Sequence, residues 1–75
     1  MRVMVTGGTG YVGAWSVKAL VDAGHKVRLL VRDPAKARAT LGALGLQRVP
    51  CVVGDMTDED AVLKALKGCD AVLHC

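Results

Sequence analysis

The chain has 75 residues, 52% of them hydrophobic, which limits it to one small domain with a packed core. No apolar run reaches the roughly 20 residues that a membrane-spanning helix needs, and the pattern of a secretion signal is absent. The net charge of +3 is mild, its basic and acidic residues are mixed, and Tyr11 and Trp15 are the only aromatic residues. Nucleic-acid-binding domains usually combine a basic stripe with stacking aromatic residues, so we expect no nucleic acid as partner. Because no apolar run is long enough to span a bilayer, we also expect no membrane partner.

The first strand and helix are predicted from hydrophobic periodicity. Residues 2–6 are largely apolar and β-branched, which indicates a buried strand. Residues 11–23 follow a helical pattern, and Gly24 stands where a helix commonly ends. The apolar face of this helix is predicted to consist of five residues: Val12, Trp15, Ala19, Leu20 and Ala23.

A second strand is predicted at residues 26–31, followed by a second helix. Asp33 is a typical N-cap residue, and Pro34 is favoured at the first helical position. The helix should then run from residue 35 to between residues 41 and 44, because Gly42 and Gly45 leave its end open.

The last part of the sequence repeats the alternation. Residues 49–53 predict a third strand, and a helix should extend from residue 58 to 66 or 67. Thr57 and Asp60 have the spacing of a capping box, so Thr57 is the predicted N-cap of this helix. Residues 71–75 predict a fourth strand.

This β-α-β-α-β-α-β order with short connections predicts an α/β fold. Strands that alternate with helices form a parallel sheet with right-handed crossovers. The expected strand order is 3-2-1-4, and ligands bind such sheets beyond the carboxyl ends of the strands near strands 1 and 4. Strand 4 should be an exposed edge of the sheet.

Three glycines at a regular spacing, Gly7, Gly10 and Gly13, lie between the first strand and the first helix. Glycine permits a tight turn and close backbone approach, and a helix N-terminus attracts phosphate. The spacing therefore predicts a turn that binds a dinucleotide pyrophosphate; the alternative is a glycine-rich turn that binds nothing. A P-loop is excluded because Ala14 and Trp15 stand where it requires Lys and Ser or Thr.

Residues 6–13, TGGTGYVG, resemble the TGGTGxxG signature of the extended short-chain dehydrogenase/reductases, which include NAD-dependent epimerase/dehydratases and dihydroflavonol reductase-like enzymes. Further matches lie at residues 27–34, 54–58 and 68–74. The resemblance implies an NAD(P)-binding Rossmann fold, of which residues 1–75 would form the N-terminal part. We expect the rest of that domain and a substrate domain to lie outside this sequence.

The end of the second strand bears on the choice of cofactor. An acidic residue there binds the ribose 2′-hydroxyl of NAD, whereas an arginine accommodates the 2′-phosphate of NADP. Arg32 occupies this place, and Lys36 follows one helical turn later, so NADP is favoured over NAD. Asp33 could instead be the acidic residue, although we interpret it as the helix N-cap, and Arg32 could be a solvated charge.

The resemblance implies further cofactor contacts. Asp55 would accept a hydrogen bond from the adenine amino group, assisted by the backbone amide of Met56; alternatively, Asp55 caps the next helix. Cys75 would begin a segment that contacts the ribose. Backbone N–H groups of three turn residues would bind the pyrophosphate: Thr9, Tyr11 and Val12.

The remaining cysteines and histidines carry no pattern of a metal or disulfide site. Cys51, Cys69 and Cys75 are odd in number and lack CxxC spacing, so we interpret them as small buried hydrophobic residues in a reducing compartment. Since Met1 leads almost directly into a strand, we expect a cytoplasmic protein. His25 and His74 are interpreted as a turn residue and a strand residue.

The resemblance implies that the longer protein transfers hydride between the nicotinamide and a carbonyl or hydroxyl carbon. The catalytic Tyr-x-x-x-Lys of the family is not found here, since Trp15 stands four residues after Tyr11. These 75 residues alone should therefore not turn over substrate. The resemblance also implies a small-molecule substrate bound by residues outside this sequence and allows a homodimer. The alternative function is a non-catalytic, NADP-sensing regulatory module.

Overall fold

The computed structural model describes residues 1–7 and 11–75, except for the side chains of Tyr11 and Val12. Within these residues no helix is long and apolar enough to cross a membrane. Strands and helices alternate in the predicted order: β1 (Arg2–Thr6), α1 (Tyr11–Asp22), β2 (Lys26–Val31), α2 (Pro34–Ala43), β3 (Cys51–Val53), α3 (Glu59–Leu66) and β4 (Ala71–His74).

The third strand is shorter than predicted. It begins at Cys51 rather than at residue 49, because Val49 still belongs to a turn in which its N–H donates to the carbonyl of Leu46 at 3.1 Å. Pro50 has no N–H to donate, but its carbonyl accepts a hydrogen bond from Leu29 at 2.9 Å. Pairing with β2 therefore begins at the Pro50 carbonyl.

The described strands form one parallel sheet in the order β3-β2-β1-β4, which confirms the predicted topology. The central strand β1 fixes the register, because Thr6 pairs with Leu30 on one side and with His74 on the other. Parallel pairing brings the carboxyl ends of the strands to the same edge of the sheet, which we call the carboxyl edge. At one side of the sheet, Val72 and Leu73 of β4 are exposed.

Side chains of opposite faces of the sheet pack into two cores. Met4, Leu30, Ala61 and Ala65 form the smaller core between the sheet and α3. Alternation along the strands directs the neighbouring residues to the opposite face, which α1 and α2 cover. The larger core there contains Val3, Val5, Val17, Val27, Leu29, Val31, Ala37, Leu41 and Leu46.

The predicted apolar face of α1 is wrong in part. Trp15 is 49% exposed and Ala19 is also exposed, whereas Ala14 and Val17 are buried. Leu20, the next predicted face residue, is partly buried against the larger core. The helix thus faces the sheet with smaller side chains, which permits close packing against the strands, and the large indole lies on the outer side.

The N-cap of α3 is Asp58 and not the predicted Thr57. The Asp58 carboxylate accepts a hydrogen bond from the Ala61 N–H at 3.2 Å, which satisfies one of the free donors of the first turn. Thr57 lies one residue earlier, and its own N–H donates to the carboxylate of Asp55 at 3.3 Å. The cap therefore precedes the first helical residue, Glu59, directly.

We expect Asp58→Ala to lower the free energy of unfolding by about 1 kcal/mol, because the first turn of α3 loses its capping acceptor. Thr57→Ala should change it by less than about 0.5 kcal/mol, and Asp58→Asn, which retains an acceptor oxygen, should stay close to wild type. Urea denaturation of the three variants measures these differences. A larger loss in Thr57→Ala than in Asp58→Ala would contradict the assignment.

Candidate functional site

A cavity of about 330 Å³ opens at the carboxyl edge, where β1, β2 and β4 end and the chain leaves β3. Its size lies within the range of about 300–1,000 Å³ that is typical of ligand pockets. We call it the carboxyl-edge cavity. It brings together five of the predicted site residues: Gly7, Arg32, Asp55, Met56 and Cys75. Its lining also includes Thr6, Gly54 and His74.

Two glycines allow the backbone to approach its neighbours closely at this cavity. Gly7 directly follows β1 with φ of 71°, and a Cβ added there would collide with the carbonyl oxygen of Cys75. Gly54 directly follows β3, and a Cβ there would collide with the Cβ of Ala61 on α3. Both positions therefore require the absence of a side chain, because neighbouring protein atoms fill the space that a Cβ would take.

The two candidate ribose-binding residues that follow β2, Arg32 and Asp33, lie in different environments. Arg32 is exposed and lines the cavity, whereas Asp33 does not. The Asp33 carboxylate accepts a hydrogen bond from the Lys36 N–H at 3.1 Å, which confirms Asp33 as the N-cap of α2. The side chain of Lys36 is exposed on the first turn of α2 and lies outside the cavity lining.

A turn after β3 presents Asp55 and Met56 to the cavity. The Asp55 carbonyl accepts a hydrogen bond from the Asp58 N–H at 2.9 Å, and one carboxylate oxygen accepts from the Thr57 N–H. Asp55 does not cap α3, because Asp58 does. Both Asp55 and Met56 are exposed, and Met56 is 55% accessible although it is apolar.

The cavity contains a pair that was not predicted, formed by Thr6 of β1 and His74 of β4. The Thr6 Oγ1 lies 2.6 Å from the His74 Nδ1, and the Cys75 N–H continues the ladder by donating to the Thr6 carbonyl at 3.0 Å. His74 was predicted only as a strand residue. The pairing could have been found from the strand register, since both residues end adjacent parallel strands.

The glycine-rich turn lies partly outside the described residues. Thr9 and Gly10 lie outside the described residues, as do the side chains of Tyr11 and Val12. Gly13 is buried in the first turns of α1. The pyrophosphate contacts expected from this turn remain predictions.

The prediction that the cysteines are buried is wrong for two of the three. Cys51 and Cys75 are exposed, and Cys69 is half-buried. The first two lie at the beginning of β3 and just beyond the end of β4, and both strands are at the sides of the sheet. Partial burial of the thiol raises the pKa of Cys51, and the nearby Arg38 guanidinium opposes this shift. All three are free thiols, and the described residues contain no cluster that could hold a metal ion.

A larger cavity, of about 510 Å³, lies at the opposite edge of the sheet, near the amino end of β2. It is lined by residues that include Val21, Gln47, Arg48 and Pro50. None of the predicted cofactor residues belongs to its lining. Ligands of parallel α/β sheets bind beyond the carboxyl ends of the strands, so the smaller cavity is the candidate site.

Comparison with known proteins agrees with this geometry. Residues 7–75 match the model of a family described as NAD(P)H-binding. Dihydroflavonol 4-reductase of Zea mays is 38% identical over 96% of this chain and 21% of its own length. A short-chain dehydrogenase/reductase superfamily protein from Agrobacterium tumefaciens, solved with bound NAD, is 33% identical with a TM-score of 0.78, over 100% of this chain and 20% of that one. A structure of AtPrR2 with NADP+ and (+)pinoresinol is 27% identical with a TM-score of 0.77, over 97% of this chain and 25% of that one.

The sheet order and the sequence matches define part of an NAD(P)-binding Rossmann fold. The chain belongs to the NAD(P)H-binding family, within the extended short-chain dehydrogenase/reductases and epimerases. It spans about a fifth of the length of the curated relatives that it matches.

We expect Gly54→Ala to lower the free energy of unfolding by about 1–3 kcal/mol, because the new methyl group overlaps Ala61. Ala61→Gly removes the overlapping methyl group, so the double variant should be more stable than the sum of the two single effects predicts, by at least about 1 kcal/mol. Gly42→Ala is the control: open space surrounds it in α2, and alanine there should stabilise the protein by up to about 1 kcal/mol. Denaturation of the four variants measures the coupling, and strictly additive effects would contradict the close contact.

Proposed function

We propose that this chain supplies the cofactor-binding part of an NADP-dependent oxidoreductase or epimerase. When bound, the reduced cofactor would donate hydride to a carbonyl carbon of a small molecule, or the oxidised cofactor would accept hydride from a hydroxyl carbon. The residues of this chain bind and orient the dinucleotide, and residues outside this sequence hold the substrate. The family membership and the carboxyl-edge cavity support this proposal.

The residues at the cavity are chemically suited to a dinucleotide. Gly7 and Gly54 contribute backbone without side chains to the lining. Arg32 offers a planar guanidinium for a phosphate, and the Asp55 carboxylate offers an acceptor for an amino group. A cation and a carboxylate in one cavity match the phosphate and the adenine of the same ligand.

The position of Arg32 is the observation that carries the preference for NADP. Arg32 lines the cavity immediately after β2, where the ribose 2′ substituent of a dinucleotide is recognised in Rossmann folds. Asp33, the alternative ribose ligand, lies outside the lining and caps α2. The relative solved with NADP+ is compatible with this assignment, and the relative solved with NAD represents the alternative.

A regulatory protein that binds NADP without catalysis is the second candidate function. Its support is the same cavity, because Arg32 and Asp55 are suited to binding the dinucleotide whether or not hydride transfer follows. Hydride transfer from labelled NADPH by the full-length protein to a carbonyl substrate would exclude this candidate. Binding of NADPH without transfer to any member of a carbonyl panel would favour it.

We expect Arg32→Asp to weaken NADP binding by about 10–100-fold, because a charge-assisted hydrogen bond to the 2′-phosphate contributes about 1.5–3 kcal/mol. NAD lacks this phosphate, so its affinity should change by less than about threefold by the same energetic argument. Calorimetric titration of the full-length protein with both dinucleotides measures the two effects.

Arg48→Asp is the matched control for this experiment. It makes the same change of charge at the opposite edge of the sheet, where Arg48 lines the larger cavity. Both dinucleotides should bind this variant as they bind the wild type. Equal losses of NADP and NAD in Arg32→Asp, or equal losses of NADP in the two variants, would contradict the role of Arg32.

A further inference from the structure

The hydroxyl of Thr6 is a buried polar group at the carboxyl edge. Thr6 is only 3% exposed, and its Oγ1 lies 2.6 Å from the His74 Nδ1. Within residues 1–7 and 11–75, His74 is the only hydrogen-bond partner of this hydroxyl. Burying a hydroxyl donor without an acceptor costs about 1–3 kcal/mol, so the direction of this bond matters.

The direction of the bond determines the tautomer of His74. If Nδ1 carried the proton, it would donate to Oγ1, and the buried hydroxyl hydrogen would lack an acceptor among the described residues. If Nδ1 is unprotonated, it accepts the hydroxyl hydrogen and both groups are satisfied. The geometry therefore favours a neutral ring with its proton on Nε2.

The second ring nitrogen is available to a ligand. His74 is exposed and lines the carboxyl-edge cavity together with Thr6, and no described residue hydrogen-bonds to its Nε2. A ring that is held at Nδ1 by a buried threonine has a restricted orientation. Its Nε2–H is then a neutral donor that complements the charged Arg32 and Asp55 in the same cavity.

We infer that His74 donates a hydrogen bond from Nε2–H to an oxygen of the bound dinucleotide and that Thr6 is the positioning residue that selects this tautomer. The inference rests on the proposed function, because it names a further residue of the same site. Thr6 acts through His74 and does not contact the ligand itself. Neither residue was among the cofactor contacts that the sequence implied.

The tautomer can be measured without a ligand. Long-range ¹H–¹⁵N correlation spectra of the full-length protein at mildly alkaline pH should show an unprotonated Nδ1 and a protonated Nε2 for His74. In Thr6→Val, which keeps the shape of the side chain and removes the hydroxyl, the ring should become a mixture of tautomers. A protonated Nδ1 in the wild type would overturn the inference, whatever the protein binds.

Binding variants separate the two roles. Thr6→Val should weaken NADP binding about five- to tenfold, whereas Thr6→Ser retains the hydroxyl and should remain within about twofold of wild type. His74→Asn keeps a polar group near the position of Nδ1 but has none at Nε2, so it should also lose about five- to tenfold. His25→Asn, at the turn between α1 and β2, is the control and should bind as wild type.

Each outcome of the titrations is decisive. Wild-type affinity in His74→Asn would show that Nε2 does not contact the ligand and would overturn the inference. Equal losses in Thr6→Ser and Thr6→Val would show that the hydroxyl is not the positioning group. Thermal unfolding of every variant shows whether it is folded, and the spectrum of the wild type decides the tautomer even if Thr6→Val does not fold. Absence of NADP and NAD binding in the wild type would instead overturn the proposed function and leave the tautomer result standing.

Discussion

Parallel pairing of β1 with β2 and β4 is the constraint on which the rest of this structure depends. Because β1 is buried between two neighbours in a fixed register, Thr6 lies beside Leu30 and His74 at the carboxyl edge. The chain therefore leaves every strand at the carboxyl edge, and the residues that follow the strands lie around one cavity. A shift of one residue in this register would turn the side chains of β1 to opposite faces and would disrupt both cores.

Two positions at the carboxyl-edge cavity accept only glycine, because the chain packs closely there. Gly7 and Gly54 lie where the backbone meets Cys75 and Ala61, so neither position has room for a Cβ. The polar groups around this space are held by local backbone bonds: Asp55 belongs to a turn with Thr57 and Asp58. Rigid strands thus position the short loops that contain the ligand-binding residues, as is usual in parallel α/β sheets.

The sequence predicted the order of elements, the sheet topology and the cap at Asp33, because these depend on local periodicity, short connections and turn chemistry. The predictions were wrong where the structure is determined by packing between elements that are distant in the sequence. The exposed indole of Trp15 and the buried Ala14 reflect how closely α1 can approach the sheet, which its own hydrophobic pattern does not encode. The N-cap of α3 lies one residue later than predicted, because sequence patterns locate the ends of helices only to within one or two residues. The bond between Thr6 and His74 joins residues that are 68 positions apart, so only the strand register reveals it.

The claim that a dinucleotide binds at the carboxyl edge is tested most directly by titrating the ¹⁵N-labelled full-length protein with NADP and following its backbone amides by NMR. We expect the largest shifts at residues that line the carboxyl-edge cavity, such as Gly7, Arg32, Asp55 and His74. Amides at the opposite edge, around Gln47 and Arg48, should change little. Shifts concentrated at Gln47 and Arg48, with the carboxyl edge unchanged, would contradict the assignment of the site.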